Sequence, residues 1–179
     1  PHILTFGKHK CDLMGLGVYA LATLPSFRVQ TFHCPATRRW IGASTNAGVA
    51  VQAGSVRVTI VGSRVVVNGV ELASSRLEVG DVVVSRNGNT ATVATTAGIE
   101  LRSSRHSTGN IPVGYLQNVQ VSARDAGTDY FVQTSHGDAS ACAAEFNNAI
   151  HTVPRMSSEQ LFDSATFDSL QTACGDVSD

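Results

Sequence analysis

Charge is scarce in this sequence. Asp, Glu, Lys and Arg make up 15% of the 179 residues, against about 25% in an ordinary domain. That scarcity excludes charge-driven disorder and a coiled coil rich in Glu and Lys. Neither sign dominates: thirteen basic residues face fourteen acidic ones, for a formal charge of −1. No broad basic face is on offer, which argues against nucleic acid or an anionic membrane surface as partner. Lysine is nearly absent, with only Lys8 and Lys10. No apolar run approaches the ~20 residues of a membrane span, and the opening has no Met, basic segment or apolar signal core. A chain that starts at Pro1 is therefore expected to be a piece of a longer protein.

Cysteine is sparse and widely spaced. Cys11, Cys34, Cys142 and Cys174 include no C-x-x-C pair, so the ligand spacing of a structural zinc site is missing. An even count with long separations suits two long-range disulfides in an oxidising compartment. Four buried free thiols are the alternative. No N-x-[ST] sequon occurs, which decides nothing, since many secreted domains lack one. Length reads as one domain. A chain this long hides roughly 70% of its unfolded surface, so it needs no cross-link merely to fold.

What is present is valine between turns. Ser55–Val61 alternates apolar and polar as a half-buried strand does. Gly62-Ser63 then turns the chain into Arg64–Val67, and Asn68-Gly69 turns it again into Val70-Glu71-Leu72. Asn-Gly between apolar runs is a strong hairpin signal, because both residues accept positive φ. Gly80-Asp81 precedes Val82–Val84, Asn87-Gly88-Asn89 precedes Thr90–Ala94, and Gly98 precedes Ile99–Leu101. Tyr115–Val121 and Tyr130–Gln133 read as two further strands. Upstream, Ile3–Phe6, Gly17–Leu21 and Phe27–Phe32 also read as extended. Strands at roughly ten-residue spacing, uninterrupted by a helical period, predict an all-β fold: an antiparallel β-sandwich built as a meander.

The tail differs. Residues 1–138 are expected to supply the sandwich strands and residues 139–179 a helical tail tethered by Cys142 and Cys174. Ala141–Phe146 and Ser158–Phe162 are the helical segments, with Ser157 or Ser158 as N-cap.

Pro1-His2-Ile3-Leu4-Thr5-Phe6, followed by Gly15-Leu16-Gly17-Val18-Tyr19-Ala20-Leu21, resembles the opening of a von Willebrand factor type D domain. Those domains begin G-D-P-H-x-x-T-F-D-G and reach G-x-C-x-Y-x-L about ten residues later. The resemblance runs without a gap over residues 1–21, at Pro1, His2, Thr5, Phe6, Gly15, Tyr19 and Leu21. Phe27-Arg28-Val29 ahead of Cys34 is similar to the family's F-x-V before a cysteine. Val65–Val70, with Asn68 and Gly69, is similar to its V-x-V-N-G-x hairpin. The likeness covers about the first 72 residues in order.

The chain departs from the pattern at three places. Gly17 stands where the family has a cysteine, and Gly7 where it has the Asp of T-F-D-G. The C-G-L-C-G-N signature has no clear counterpart beyond Ala141-Cys142-Ala143-Ala144. The family often binds calcium near that signature, so calcium is a candidate ligand with no ligand residues to carry over, and no other cofactor is expected. Some mucin-like members are cleaved between the Asp and Pro of G-D-P-H. Here the simpler account of Pro1 is a sequence that starts within a longer chain.

The resemblance implies a non-catalytic extracellular module. It would serve structure or assembly in a larger secreted adhesive, matrix or filament-forming glycoprotein, with other copies or other domains of that protein as partners. Cys11–Cys174 with Cys34–Cys142 is the expected pairing, tying the N-terminal strands to the tail. Spacing alone does not choose among the three pairings that four cysteines allow.

Other readings compete. His33, Asp81 and Ser140 follow the chain order of a chymotrypsin-like triad, and Gly137-Asp138-Ala139-Ser140 is similar to the G-D-S-G of such enzymes. An extra residue intervenes there, Ala141 replaces the glycine of the oxyanion turn, and no G-x-S-x-G elbow exists. A capsid or shell subunit, or a module of a large lipoprotein, would also suit a valine-rich sandwich. The six histidines form no H-x-x-x-H or H-E-x-x-H pair, so no metal site is expected from His2, His9 or His33. Asp125, Asp129 and Asp138 lack EF-hand spacing. Asp163, Asp168, Asp176 and Asp179 read as a solvated acidic tail. Arg38-Arg39-Trp40 is too short a cluster for nucleic acid, and Trp40 is expected at the edge of the core.

Overall fold

Each turn read from the sequence between residues 55 and 101 reverses the chain, so consecutive strands lie side by side. The computed structural model describes residues 2–4, 10–12, 15–36, 43–109, 111–123 and 160–175. Two short strands, β1 (His2–Leu4) and β2 (Lys10–Asp12), pair with each other. Then come β3 (Gly17–Leu24), β4 (Phe27–Pro35), β5 (Ser44–Ala53), β6 (Val56–Val61), β7 (Arg64–Val67) and β8 (Val70–Glu71). These six form one antiparallel sheet in sequence order. The strands β9 (Arg76–Val79), β10 (Val82–Asn87), β11 (Thr90–Thr95), β12 (Ile99–Ser107) and β13 (Tyr115–Ala123) form a second sheet, also in sequence order. A helix, α1 (Ser164–Cys174), follows. The described strands lie within residues 1–138 and the helix within 139–179.

The sheets meet face to face. Phe27, Val29, Val49, Val51, Val58, Ile60, Val65 and Val67 of the first pack with Val82, Val84, Ala91, Val93 and Leu101 of the second. Burying each such side chain stabilises by roughly 1.5–3 kcal/mol relative to exposure. This is a β-sandwich. The first sheet is also covered on its other face, where Val18, Phe32, Ala47 and Ala50 pack under Leu161, Phe162 and Leu170. Double coverage explains why β4 and β5 are buried over most of their length rather than at alternate positions.

The prediction that Ser157 or Ser158 caps the helix places its start too early, and both residues lie outside those described. The cap is Asp163, whose carboxylate accepts a 2.9 Å hydrogen bond from the Thr166 backbone N–H. Leu161 and Phe162 precede the helix and plug the sheet face. At 11 residues α1 is too short to persist alone in water. Docking holds it, through Thr166, Leu170 and Cys174, which recur every four residues on one face. The sequence pattern did not predict β2, β9 or the first half of β5. The predicted strand Tyr130–Gln133, the helical segment Ala141–Phe146 and Trp40 lie outside the described residues.

Candidate functional site

The side chains able to do chemistry gather on β4, which presents different residues to its two faces. Gln30, Phe32 and Cys34 point toward the helix, while Thr31 and His33 point toward the second sheet, as strand alternation requires.

On the helix side, Cys34 is fully buried and bonded to Cys174, the last residue of α1, across 140 residues of sequence. Their Cα atoms are 5.3 Å apart, within the ordinary range for a disulfide. This pairing corrects the expected one. Cys34 cannot also pair with Cys142, nor Cys174 with Cys11, because β4 aims Cys34 at the helix face and α1 delivers Cys174 there. Cys11 sits on β2, and Cys142 lies outside the described residues. Around the tether, Phe32 meets Phe162 and Phe167 edge-on at 6.1 and 5.6 Å. The Leu161 N–H donates to Gln30 Oε1 at 3.0 Å. Burial alone would raise the pKa of Asp163. The Thr166 backbone N–H, with the nearby Thr166 and Thr59 hydroxyls, holds it below the ordinary carboxylate value instead.

On the inner side the chemistry is polar and buried. His33 is 2% exposed; its ring lies 4.8 Å from that of Tyr19, and its Nε2 is 3.0 Å from Thr31 Oγ1. Desolvation drives its pKa down from 6.5 to about 3, so the imidazole stays neutral. The Gly15 carbonyl lies near enough to favour the protonated ring slightly, yet it does not meet Nδ1 in hydrogen-bonding geometry. Directly opposite His33 on β5 stands Asn46. Its Nδ2 donates to the Gln117 carbonyl of β13 at 3.1 Å, and Gln117 Nε2 donates to Ser103 Oγ at 2.7 Å. A bulge makes this possible. Phe32 pairs with Gly48 but His33 pairs with Asn46, so Ala47 is an extra residue that resets the alternation of β5. The Tyr115 hydroxyl donates to the Ala47 carbonyl at 2.9 Å. Burial raises the Tyr115 pKa to about 12, against the opposing influence of Arg105, whose guanidinium lies 5.6 Å from the ring centre.

The remaining predicted positions scatter. Asp81 is exposed in the β9–β10 turn of the second sheet and makes no hydrogen bond to the buried His33, so these two do not form the acid–base half of a triad. Ser140 lies outside the described residues, as do Pro1, Thr5, Phe6, His9, Arg38, Arg39, Asp125, Asp129, Asp138, Asp176 and Asp179. His2 is on β1. Gly15 lies against the Tyr19 hydroxyl, which leaves no room there for a side chain. Tyr19 and Leu21 are on β3, with Leu21 the extra residue of a second bulge. Asn68 and Gly69 form the β7–β8 turn. Asp168 is exposed on α1.

Sequence reasoning missed Asn46, Gln117 and Ser103. Ser103 stands between Arg102 and Ser104, Gln117 beside Asn118 and Asn46 beside Thr45, so no local pattern marks the three as buried. Among the described residues no three His, Cys, Asp or Glu side chains gather as a metal site, and no helix is long and apolar enough to cross a membrane. No protein-family model matches the sequence, and no curated protein matches it.

Proposed function

We propose that this chain is a non-catalytic extracellular module of the von Willebrand type D kind, serving structure or assembly within a larger secreted adhesive, matrix or filament-forming protein. One observation carries the reading: the buried Cys34–Cys174 bond, which fastens the C-terminal helix to a central strand. Bonds of this kind persist in oxidising compartments and are rare in the cytosol. The order of short motifs from Pro1 to Val70 adds the family resemblance. The partners are then other copies or other domains of the same extracellular protein.

The test is the mass of the protein from its natural source after alkylation of free thiols, with and without reduction, followed by peptide mapping. The expected result is a Cys34–Cys174 cross-linked peptide pair, recovered from a larger secreted chain or assembly. Alkylation of Cys34 and Cys174 in the unfolded but unreduced protein would overturn the extracellular assignment.

A further inference from the structure

The inner face of the sandwich contains three buried polar atoms without a hydrogen-bond partner on side chains that follow one another in space: His33 Nδ1, Asn46 Oδ1 and Gln117 Oε1. His33 and Asn46 are cross-strand neighbours, a relation that sets Cβ atoms about 5 Å apart. Asn46 in turn is bonded to the backbone of Gln117. All three side chains are at least nine-tenths buried. Buried polar groups left unpaired are costly, and these three belong to different strands from both sheets.

Their chemistry defines what would satisfy them. Asn46 and Gln117 each give one N–H, to the Gln117 carbonyl and to Ser103 Oγ, and each presents a carbonyl oxygen that only accepts. The neutral His33 ring has one N–H to give. In the tautomer whose Nε2 accepts from the Thr31 hydroxyl, Nδ1 carries the proton; the nearby Gly15 carbonyl does not meet it in hydrogen-bonding geometry, so it needs another acceptor. The set therefore lacks two donors and one acceptor. A metal ion fits poorly: the three groups are neutral, nothing offsets the cost of dehydrating a dication, and a protonated Nδ1 cannot coordinate. A water molecule supplies the complement, and buried waters typically make about three such bonds.

We propose that this site binds one water molecule as a permanent part of the fold, donating to Asn46 Oδ1 and Gln117 Oε1 and accepting from His33 Nδ1–H. The water links β4 and β5 of one sheet to β13 of the other, and it does so whether or not the chain is extracellular.

The test is a long-range ¹H–¹⁵N correlation of the imidazole rings in the ¹⁵N-labelled full chain near pH 7, with a water-selective cross-relaxation experiment. The expected result is a neutral His33 ring protonated at Nδ1, with a cross-peak to water whose sign marks a residence longer than nanoseconds. Gln117→Met, which keeps the length and removes the oxygen, is expected to abolish that cross-peak. Protonation at Nε2, or an Nδ1–H without a water cross-peak, would overturn the proposal. So would a shift of the ring nitrogens on adding Ca²⁺ or Zn²⁺, or a cross-peak unchanged in a folded Gln117→Met. Should that variant fail to fold, the wild-type spectrum alone decides.

Discussion

Gly48 of β5 lies directly beneath Leu170 of α1: a methyl group on its Cα would stand 2.8 Å from Leu170 Cδ1 and 3.2 Å from Phe162 Cε1. The absence of a side chain on the strand is what lets the helix sit this close to the sheet. Gly48→Ala is expected to destabilise by about 1–3 kcal/mol, the usual cost of overpacking a filled site. Chemical denaturation with a Leu170→Val partner checks the cause. The second substitution should recover part of the loss, whereas strictly additive effects would place the cost elsewhere.

The Cys34–Cys174 bond closes a loop of 140 residues, and chain-entropy reasoning assigns such a cross-link about 5 kcal/mol. Cys174→Ala is expected to lower the unfolding free energy by roughly 2–5 kcal/mol and to detach α1 before the sheets unfold. Helix-specific hydrogen exchange reads the detachment directly. Equal protection of α1 in variant and wild type would show that packing alone holds the helix.

Burial leaves His33 harder to protonate in the folded protein, near pH 3, than in the unfolded chain at 6.5. Between those values the unfolded state binds the extra proton, so stability rises with pH; it is complete above 6.5 and is lost as pH falls toward 3. The slope approaches a tenfold change in the folding equilibrium per pH unit. Urea melts between pH 7 and 5, above the carboxylate range, isolate it. His33→Phe should flatten the profile there. Asp163, whose pKa is depressed, stabilises above the carboxylate range and loses that contribution only at lower pH.

At the β7–β8 turn Asn68 and Gly69 hold φ of 50° and 82°, the left-handed pair of a tight hairpin. Asn68 Oδ1 also accepts from the Arg57 N–H at 2.8 Å. A Cβ on Gly69 meets nothing within 4 Å, so Gly69→Ala tests backbone strain without a clash. It should cost about 1–2 kcal/mol, and Gly69→Asn less. A thermal melt unchanged by both would show that the turn is not under selection for conformation.

That turn also shows why much of the fold was legible. Asn68-Gly69 and the other Gly-centred turns announce themselves locally, and the valine runs between them can only be strands. β5 was harder to read. The bulge at Ala47 puts Asn46 and Val49 on the same face three residues apart, which breaks the alternation that a reader of sequence relies on. Edge strand β9, Arg76-Leu77-Glu78-Val79, is exposed along nearly its whole length and carries little apolar signal. Leu161 and Phe162 look like the start of a helix, but their packing on the sheet keeps them outside it and leaves Asp163 to cap it. The partner of Cys34 and the meeting of His33 with Asn46 and Gln117 depend on register across long separations, which no local pattern encodes.

Between Gly17 and Ala123 every hydrogen-bonded neighbour within the two large sheets is also a sequence neighbour, and the chain passes from one sheet to the other through residues 72–75, of which Ala73, Ser74 and Ser75 are exposed. The sandwich is thus two self-contained ribbons folded over a single hinge. Cutting that hinge would sever no strand pairing, and the N-terminal piece would keep two apolar faces, one matched by the second sheet and one by Leu161, Phe162 and the helix. The molecule can be treated as an intramolecular complex: a cut at residues 73–75 leaves two pieces joined by the Cys34–Cys174 bond, and reduction of that bond would turn them into an association between two chains.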